Sequence, residues 1–266
     1  MLVTPLMSSD CVAFVCNFRY LPKFVETCSA LIDVGEYNGP IVLVVGDDIN
    51  LSGLKTHPFI KSHADQIIIH YCPDIVFGAE TNAKINVVNT KAGKFGHKLF
   101  QYHKFHLFTP FFKQWRHVFY IDCGAKIFAP IAPILGCAKP DLLLAHSDAY
   151  PTHRWKLSGQ FSTVFPEINK NLAKRWNLDV DYFQSTIMLF DTAIIEEYTF
   201  QRLCELTEEY PVSMTNDQGI LNLYFICVKN KWAQIPLGNT NTYFYDFNIR
   251  HTDKPYIITK YYVFND

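Results

Sequence analysis

The motif Phe119-Tyr120-Ile121-Asp122-Cys123-Gly124 places a carboxylate directly after a short apolar run that is typical of a buried strand. At the carboxyl end of such a strand, Asp122 could hold a divalent cation or accept a hydrogen bond from a ribose hydroxyl. A Mg or Mn ion bound to a diphosphate prefers hard oxygen ligands of this kind. Aspartate and glycine are also common turn residues, so a turn without chemistry is the alternative.

Lys104 lies midway between two aromatic residues at helical spacing, Phe100 and Phe108. A helix from about His97 to Phe108 would place all three side chains on the face that packs inward. A lysine on such a face has to extend its ammonium to solvent, pair with a carboxylate or contact a bound anion. The sequence leaves these three outcomes open.

The segment Asn216-Asp217-Gln218-Gly219 begins a predicted helix over Asn216–Val228. Asn216 is suited to cap this helix, and Asp217 lies at the positive end of the helix dipole, which favours the ionised carboxylate. An ionised carboxylate can stabilise an oxocarbenium-like sugar or orient a hydroxyl, but it is a poor general acid. The alternative is that both residues only cap the helix.

Three of the ten histidines, His97, His103 and His106, form a metal-like cluster in the sequence. Only His103 and His106 share a helical face, and no cysteine or carboxylate pair completes a zinc site, so we interpret the three as surface or core histidines. The chain also lacks a Walker pattern, a dinucleotide fingerprint and a Gly-x-Ser-x-Gly motif. The absence of Gly-x-Ser-x-Gly leaves a serine hydrolase unsupported, and the lack of a Gly-rich phosphate loop with Arg or Lys near the N-terminus disfavours a nucleotidyltransferase.

The elements that must position these residues alternate between short apolar runs and helix-like segments, which predicts an α/β fold. Ligands bind at the carboxyl ends of strands in such folds, where Asp48, Asp122 and Asp148 follow predicted strands. The predicted strands are Cys11–Cys16, Ile41–Val45, Gln66–Tyr71, Val118–Asp122, Leu142–Ala145, Ser185–Phe190 and Trp232–Ile235. Further helices are predicted from Pro22 to a stop at Gly35 and over Ala193–Tyr210.

Composition restricts the class of protein. Hydrophobic residues make up 49% of the 266 residues and charged residues 18%, which excludes a disordered chain. The net charge of −1 lacks the positive excess of a nucleic-acid-binding protein. No apolar run is long enough for a transmembrane segment, and residues 1–10 do not resemble a signal peptide. The eight cysteines include no Cys-x-x-Cys pair, so we expect buried free thiols in a cytoplasmic protein.

Five segments occur in an order that resembles the glycogenin-like, family 8 glycosyltransferases of the GT-A fold. They are Phe14-Val15-Cys16-Asn17, Lys104-Phe105-His106-Leu107-Phe108, Tyr120-Ile121-Asp122-Cys123-Gly124, Tyr182-Phe183-Gln184-Ser185-Thr186 and Asn216-Asp217-Gln218-Gly219-Ile220-Leu221-Asn222. The resemblance covers roughly Cys11 to Pro236 and implies a Rossmann-like mixed central sheet flanked by helices. It implies a single domain over 1–266, with a nucleotide-binding half at about 10–125 and a sugar and acceptor half at about 126–266.

The resemblance also implies a role for individual residues. Those implied to bind the nucleotide are Cys16, Asn17, Tyr20, Lys104 and Asp122. Those implied to be catalytic are Gln184, Asp217 and Gln218, while Asp148 would hold the donor sugar. His251 and Lys254 would reach the diphosphate, and Asp122 and His251 would bind a metal.

The implied activity is retaining transfer of a hexose or pentose from a nucleoside-diphosphate donor, a UDP-sugar, to a hydroxyl of a glycan or small acceptor. A catalytically silent nucleotide-sugar or glycan-binding relative is the alternative. The family uses a Mn or Mg cofactor held by Asp-x-Asp, whereas Gly124 stands here in place of the second aspartate. We therefore expect weaker metal dependence than an intact Asp-x-Asp site would give.

Overall fold

The computed structural model of the chain describes residues 10–93, 99–147, 155–247 and 253–260. Within these ranges the strands are β1 (Asp10–Cys16), β2 (Ile41–Val45), β3 (Ile67–Tyr71), β4 (His117–Ile121), β5 (Lys126–Ile127), β6 (Leu143–Ala145), β7 (Ile187–Asp191), β8 (Trp232–Gln234), β9 (Tyr243–Asp246) and β10 (Tyr256–Thr259). The α-helices are α1 (Leu21–Asp33), α2 (Leu51–Thr56), α3 (Pro58–Ser62), α4 (Ala79–Lys91), α5 (Ala132–Leu135), α6 (Pro166–Arg175), α7 (Thr199–Glu209) and α8 (Asp217–Asn222).

Seven strands form one mixed sheet in the order β3-β2-β1-β4-β7-β6-β8. The strands from β3 to β4 are parallel to their neighbours, and β7 runs antiparallel to both β4 and β6. As a result β1 ends at Cys16 and β4 at Ile121 on the same edge of the sheet at which β7 begins at Ile187. This edge is called the carboxyl edge below.

A second, three-stranded sheet in the order β5-β10-β9 lies beside the turn that follows β4. Strand β10 pairs antiparallel with β5, with Thr259 opposite Lys126, and parallel with β9. Lys260, which follows β10 directly, therefore lies at the carboxyl edge.

Both faces of the inner strands of the large sheet are buried, as their continuous apolar runs predict, whereas the edge strands β3 and β8 are partly exposed. Alternate residues of β1 belong to two separate clusters, Cys11 and Ala13 to one and Val12 and Phe14 to the other. Helix α1, which has Pro22 in its first turn, covers the second cluster with Phe24 and Leu31. The predicted α/β fold with a mixed central sheet flanked by helices is thereby confirmed.

Two predicted helices differ from the observed elements. The segment expected as a helix to Phe108 is a run of 3-10 turns over Leu99–Phe108, because Tyr102 to Phe108 are all buried and no single face turns inward. The helix expected over Ala193–Tyr210 is a 3-10 turn, Thr192–Ile194, followed by α7. The break follows from Asp191, whose carboxylate accepts a hydrogen bond from Ala193 N and caps the short turn.

The remaining 3-10 turns are Phe18–Tyr20, Pro110–Gln114 and Leu157–Gln160, and α8 continues as a π-helix over Leu223–Val228. All eight cysteines lie in described residues and are free, as predicted, but only five are buried, whereas Cys137, Cys204 and Cys227 are partly exposed. In the part of the chain that the structure describes, no helix has the length and apolar character needed to cross a bilayer.

Candidate active site

Four side chains from four different elements meet at the carboxyl edge: Lys104, Asp122, Ser185 and Asp217. Asp122 follows β4, Ser185 precedes β7, Asp217 begins α8, and Lys104 projects from the 3-10 segment. This group is called the Lys104 cluster below. Three of its members were predicted from the sequence as site residues, and the fold brings them within contact distance.

Lys104 occupies the centre of the cluster. Its Nζ lies 3.2 Å from Asp122 Oδ1 and 3.1 Å from Asp217 Oδ2, and it donates to Ser185 Oγ at 3.1 Å. Burial by itself lowers the pKa of Lys104, whose side chain is 11% exposed, but Asp122 and Asp217 outweigh burial and hold the pKa above its ordinary value. Of the three outcomes open to this lysine, the structure shows pairing with carboxylates.

Asp122 is partly open to solvent, with 24% of its side chain exposed. Its Oδ1 accepts a hydrogen bond from Tyr120 OH at 2.5 Å, and its Oδ2 lies 3.6 Å from Lys260 Nζ. Burial raises the pKa of Asp122, yet Lys104 and Lys260 lower it more, so the net pKa lies below its ordinary value. Asp122 is therefore an ionised carboxylate with an ammonium group near each oxygen.

Asp217 is enclosed, with 2% of its side chain exposed, and its Oδ2 accepts a hydrogen bond from Ser185 Oγ at 2.8 Å. Burial raises the pKa of Asp217 above its ordinary value, although Lys104 and Ser185 oppose the rise. The expectation that the helix dipole would govern this carboxylate is therefore wrong. Helix α8 has only six residues, and the desolvation of Asp217 and the Lys104 charge dominate.

Asn216 does not cap α8 as the sequence predicted. Its backbone has φ 53°, ψ −113°, and its side chain makes no capping hydrogen bond. The Asn216 amide instead donates to Gln101 Oε1 at 2.6 Å. The start of α8 is thus fixed to the 3-10 segment that carries Lys104.

Gln218 connects α8 to the segment before β7. Its Oε1 accepts from Ser185 N at 3.1 Å, and its Nε2 donates to Gln160 Oε1 at 2.9 Å. Gln184 lies beside Ser185 and is buried, with its Oε1 accepting from Tyr245 OH at 3.3 Å. Gln184 and Gln218 are therefore next to the Lys104 cluster, held by hydrogen bonds with protein groups.

The predicted nucleotide residues that follow β1 differ in their exposure. Cys16 is fully buried, and a hydrogen bond with Cys123 together with burial raises the pKa of its thiol. Asn17 Oδ1 accepts from Tyr20 N at 3.1 Å and caps the turn, while Tyr20 is 39% exposed with Lys23 Nζ 5.0 Å from its ring centre. Tyr20 is therefore accessible to a ligand, whereas the Cys16 side chain is not.

Lys254 lies before β10 and Lys260 follows it, so the two are separated by the length of the strand, roughly 20 Å. Lys254 Nζ donates to Asn239 O at 3.3 Å, and the structure does not bring it to Asp122. Its predicted contact with a diphosphate stays a prediction. Asp148 and His251 lie outside the described residues, and so does His97.

His103 and His106 are buried, their ring centres 4.6 Å apart, and burial lowers the pKa of both. They pack against aromatic rings, His103 on Phe100 and His106 on Phe200. This position agrees with their interpretation as core histidines.

Sequence reasoning missed three residues of this region. Ser185 belongs to the segment Tyr182-Phe183-Gln184-Ser185-Thr186, which the family resemblance had already singled out. That segment was the sequence signal from which Ser185 could have been predicted as a site residue. Gln160 and Lys260 belong to no motif, and only the tertiary structure places them beside Gln218 and Asp122.

The described residues around Asp122 do not fit a divalent cation, and the predicted ligand His251 lies outside them. Both oxygens of Asp122 already face ammonium groups, and Gly124 offers no side chain where the second aspartate of Asp-x-Asp would stand. Among residues 10–93, 99–147, 155–247 and 253–260, no group of three His, Cys, Asp or Glu side chains is arranged to hold a metal ion.

No protein-family model matches the sequence, and no curated protein sequence matches it significantly. Solved structures do match. The galactosyltransferase LgtC, in complex with donor and acceptor sugar analogs, has a TM-score of 0.61 at 14% identity, over 94% of this chain and 86% of LgtC. The bifunctional glycosyltransferase WbbM in its apo form has a TM-score of 0.57 at 16% identity over 97% of this chain, which spans only 47% of WbbM.

Core-mannan synthase A from Aspergillus fumigatus, in a form with Mn and GDP, has a TM-score of 0.50 at 9% identity, over 86% of this chain and 73% of that protein. At such low identities the three likenesses show a shared fold. The chain has the mixed α/β architecture of these GT-A glycosyltransferase structures.

Proposed function

We propose that this protein transfers a sugar from a nucleoside-diphosphate donor, a UDP-sugar, to a hydroxyl group of a glycan or small acceptor. The observation that carries the proposal is the Lys104 cluster, in which Lys104 bridges Asp122 and Asp217 at the carboxyl edge. Ligands of open α/β sheets bind outside this edge. The same fold holds donor and acceptor sugar analogs in LgtC, which supports a sugar donor here.

We assign the nucleotide to the half at about 10–125 and the sugar and acceptor to the half at about 126–266. Exposed rings of Phe18 and Tyr20 next to the end of β1 would stack on the base. The partly exposed carboxylate of Asp122 would accept a hydrogen bond from the ribose. Cys16 would contribute only its backbone, because its thiol is enclosed.

Lys104 has a different role from the direct nucleotide contact that the resemblance implies. Its ammonium pairs with two carboxylates and donates a hydrogen bond to Ser185, so Lys104 would act by fixing the positions of these three groups. The half-buried Gln218 would face the donor sugar and acceptor, and the enclosed Asp217 would act on the sugar through its charge, with Gln184 and Asp148 on the sugar side. Fixed polar groups stabilise a transition state better than mobile ones.

In the transfer, the bond between the anomeric carbon and the diphosphate oxygen breaks, and its electron pair leaves with the nucleoside diphosphate. The acceptor oxygen bonds to the anomeric carbon, and its proton passes to the departing phosphate. The positive charge that develops on the sugar is stabilised by a nearby carboxylate, a role we give to Asp217. Retention of configuration follows from the family resemblance.

A catalytically silent relative that binds nucleotide sugar or glycan is the second candidate. The observation that favours it is the pairing of Asp122 and Asp217 with Lys104, which leaves neither carboxylate without an internal partner. Such a protein would bind a donor and release no nucleoside diphosphate.

A screen of nucleotide sugars decides between the two. Binding is detected as a thermal shift, since a ligand at 100 times its Kd stabilises the folded state by about 2.7 kcal/mol. Release of nucleoside diphosphate from each bound donor is then measured with and without sugar acceptors. We expect release that increases with an acceptor and is lost in Asp122→Ala, while Asp141→Ala, a surface carboxylate paired with Lys231, behaves as wild type. Binding without release would support the silent relative, and no binding would contradict both.

A further inference from the structure

Lys260 is a half-buried ammonium at the carboxyl edge that no sequence motif explains. It follows β10, and the pairing of Thr259 with Lys126 turns the chain toward the loop after β4. Its Nζ donates to Cys123 O at 3.0 Å and lies 3.6 Å from Asp122 Oδ2, with only 16% of the side chain exposed. A lysine so enclosed needs a compensating charge.

Gly124 lies directly beneath this ammonium. A Cβ atom at Gly124 would lie 3.9 Å from Lys260 Nζ and 3.3 Å from Lys23 Cδ. The backbone there has φ 88°, which disfavours any side chain. Lys260 therefore stands where the second carboxylate of an Asp-x-Asp pair would project, and a positive charge replaces a negative one.

The local charge is unusual for a metal site. Lys104 and Lys260 together balance the two carboxylates, Asp122 and Asp217, so the cluster leaves no net negative charge to hold a cation. The exposed Lys23, at the same turn, adds one positive charge to this balanced group. Two neighbouring ammonium groups, Lys260 and Lys23, at the mouth of a nucleotide site are suited to an anion, and phosphate oxygens are strong acceptors from such donors.

We propose that the Lys260 ammonium takes the place of the divalent cation and binds the diphosphate of the donor, so that donor binding needs no metal. This inference rests on the proposed function, because it names the group that meets the donor's diphosphate. When the diphosphate leaves, the charge that grows on its oxygens is balanced by Lys260, with Lys23 beside it.

The test compares UDP and GDP with their nucleosides by calorimetry in excess EDTA, using the full chain. Lys260→Gln should weaken diphosphate binding by about tenfold or more, as expected for loss of a charged hydrogen bond, and leave nucleoside binding unchanged. Lys260→Arg should keep most of the affinity because it keeps the charge. The matched control is Lys126→Gln. Lys126 belongs to the same small sheet as the strand before Lys260, and its ammonium pairs with Glu26. This variant should bind as wild type.

Melting temperatures of all variants show whether each is folded, and the Lys260→Arg comparison holds even if Lys260→Gln is destabilised. Wild-type binding that appears only with Mn would overturn the inference and leave the proposed function intact. Equal affinity in wild type and folded Lys260→Gln would also overturn it. If wild type binds no nucleoside diphosphate with or without Mn, both the inference and the proposed function fail.

Discussion

At the scale of single residues, Lys104 determines how the two carboxylates of the carboxyl edge behave. The Lys104 ammonium favours the ionised form of both carboxylates. Nevertheless, the pKa of Asp122 lies below its ordinary value and the pKa of Asp217 lies above it. The difference arises because Asp217 is enclosed while Asp122 has Lys260 as a second partner. Two carboxylates in one cluster therefore have environments that suit different tasks.

Lys104→Met should destabilise the protein at pH 7 by about 3–5 kcal/mol, because the enclosed Asp217 loses its ammonium partner and Asp122 loses one of two. The pKa of Asp122 is lowered on folding, so the stabilisation by this pair exists above the unfolded pKa and is lost as pH falls through the folded pKa. The stability gap between wild type and variant should therefore shrink in acid. Urea unfolding at pH 7 and at pH 3–4 measures the gap.

Lys156→Met is the control for this prediction, since the Lys156–Asp181 pair is about one third exposed on both sides. Its loss should cost about 1 kcal/mol or less. A Lys104→Met penalty no larger than the control's would contradict a structural role for the buried bridge.

Asp217→Asn should lower turnover by about 100-fold and change donor affinity much less, because the charge of Asp217 is needed most in the transition state. Lys104 stays paired with Asp122, so the variant should fold. The control is Asp191→Asn, a buried carboxylate at the opposite edge, where asparagine caps as well as aspartate. An unchanged rate in Asp217→Asn would remove this residue from the active site.

At the scale of elements, α8 is positioned by its last residue as much as by its first. Asn222 is fully buried, and its side chain accepts from Phe183 N and donates to Phe183 O, both at 2.7 Å. The Asn222 side-chain amide thus bonds both backbone groups of Phe183, as a neighbouring strand would. These two bonds hold α8 against the segment that carries Ser185. The separation between Asp217 and Ser185 therefore depends on Asn222.

Asn222→Ala should lower the free energy of unfolding by about 2–4 kcal/mol, because it leaves buried backbone groups of Phe183 without partners. Turnover should also fall, since Asp217 and Ser185 lose their common support. Asn169→Ala, which removes one longer bond from α6 to Ser162 O, should cost less than half as much. Denaturant unfolding and rate measurements check both effects, and equal penalties would contradict this account of α8.

At the scale of the whole molecule, the large sheet has two unlike edges. The carboxyl edge gathers Lys104, Asp122 and Asp217, whereas the opposite edge is closed by backbone contacts such as Thr192 N to Arg116 O. Lys260, which follows the small sheet's strand β10, joins the carboxyl edge beside Asp122. Ligand effects should therefore be confined to one side of the molecule.

Hydrogen exchange measured with and without a bound nucleoside diphosphate tests this asymmetry. Amides of 121–125, 183–186 and 215–222 should exchange more slowly with ligand, because binding raises the cost of local opening where the ligand contacts the protein. Amides of 192–195, at the opposite edge, should change little. Protection that is uniform over both edges would instead indicate global stabilisation, and protection limited to the opposite edge would place the site elsewhere.

The amino-acid sequence by itself determined the alternation of strands and helices, because buried strands such as Ile41–Val45 need continuous apolar runs. It also determined which edge carries the candidate site, since Asp122 and Asp217 follow recognisable local patterns. Local patterns could not show the irregular turns over Leu99–Phe108, where burial on all sides replaces a helical face.

Only the tertiary structure decided the electrostatics of the site. The pKa of Asp217 depends on burial by distant segments and on Lys104, more than a hundred residues earlier, and not on its own helix. Lys260 joins Asp122 because β10 pairs with β5, a contact between segments far apart in the chain. Charge interactions act through space, so a sequence fixes which charges exist and the fold determines which of them meet.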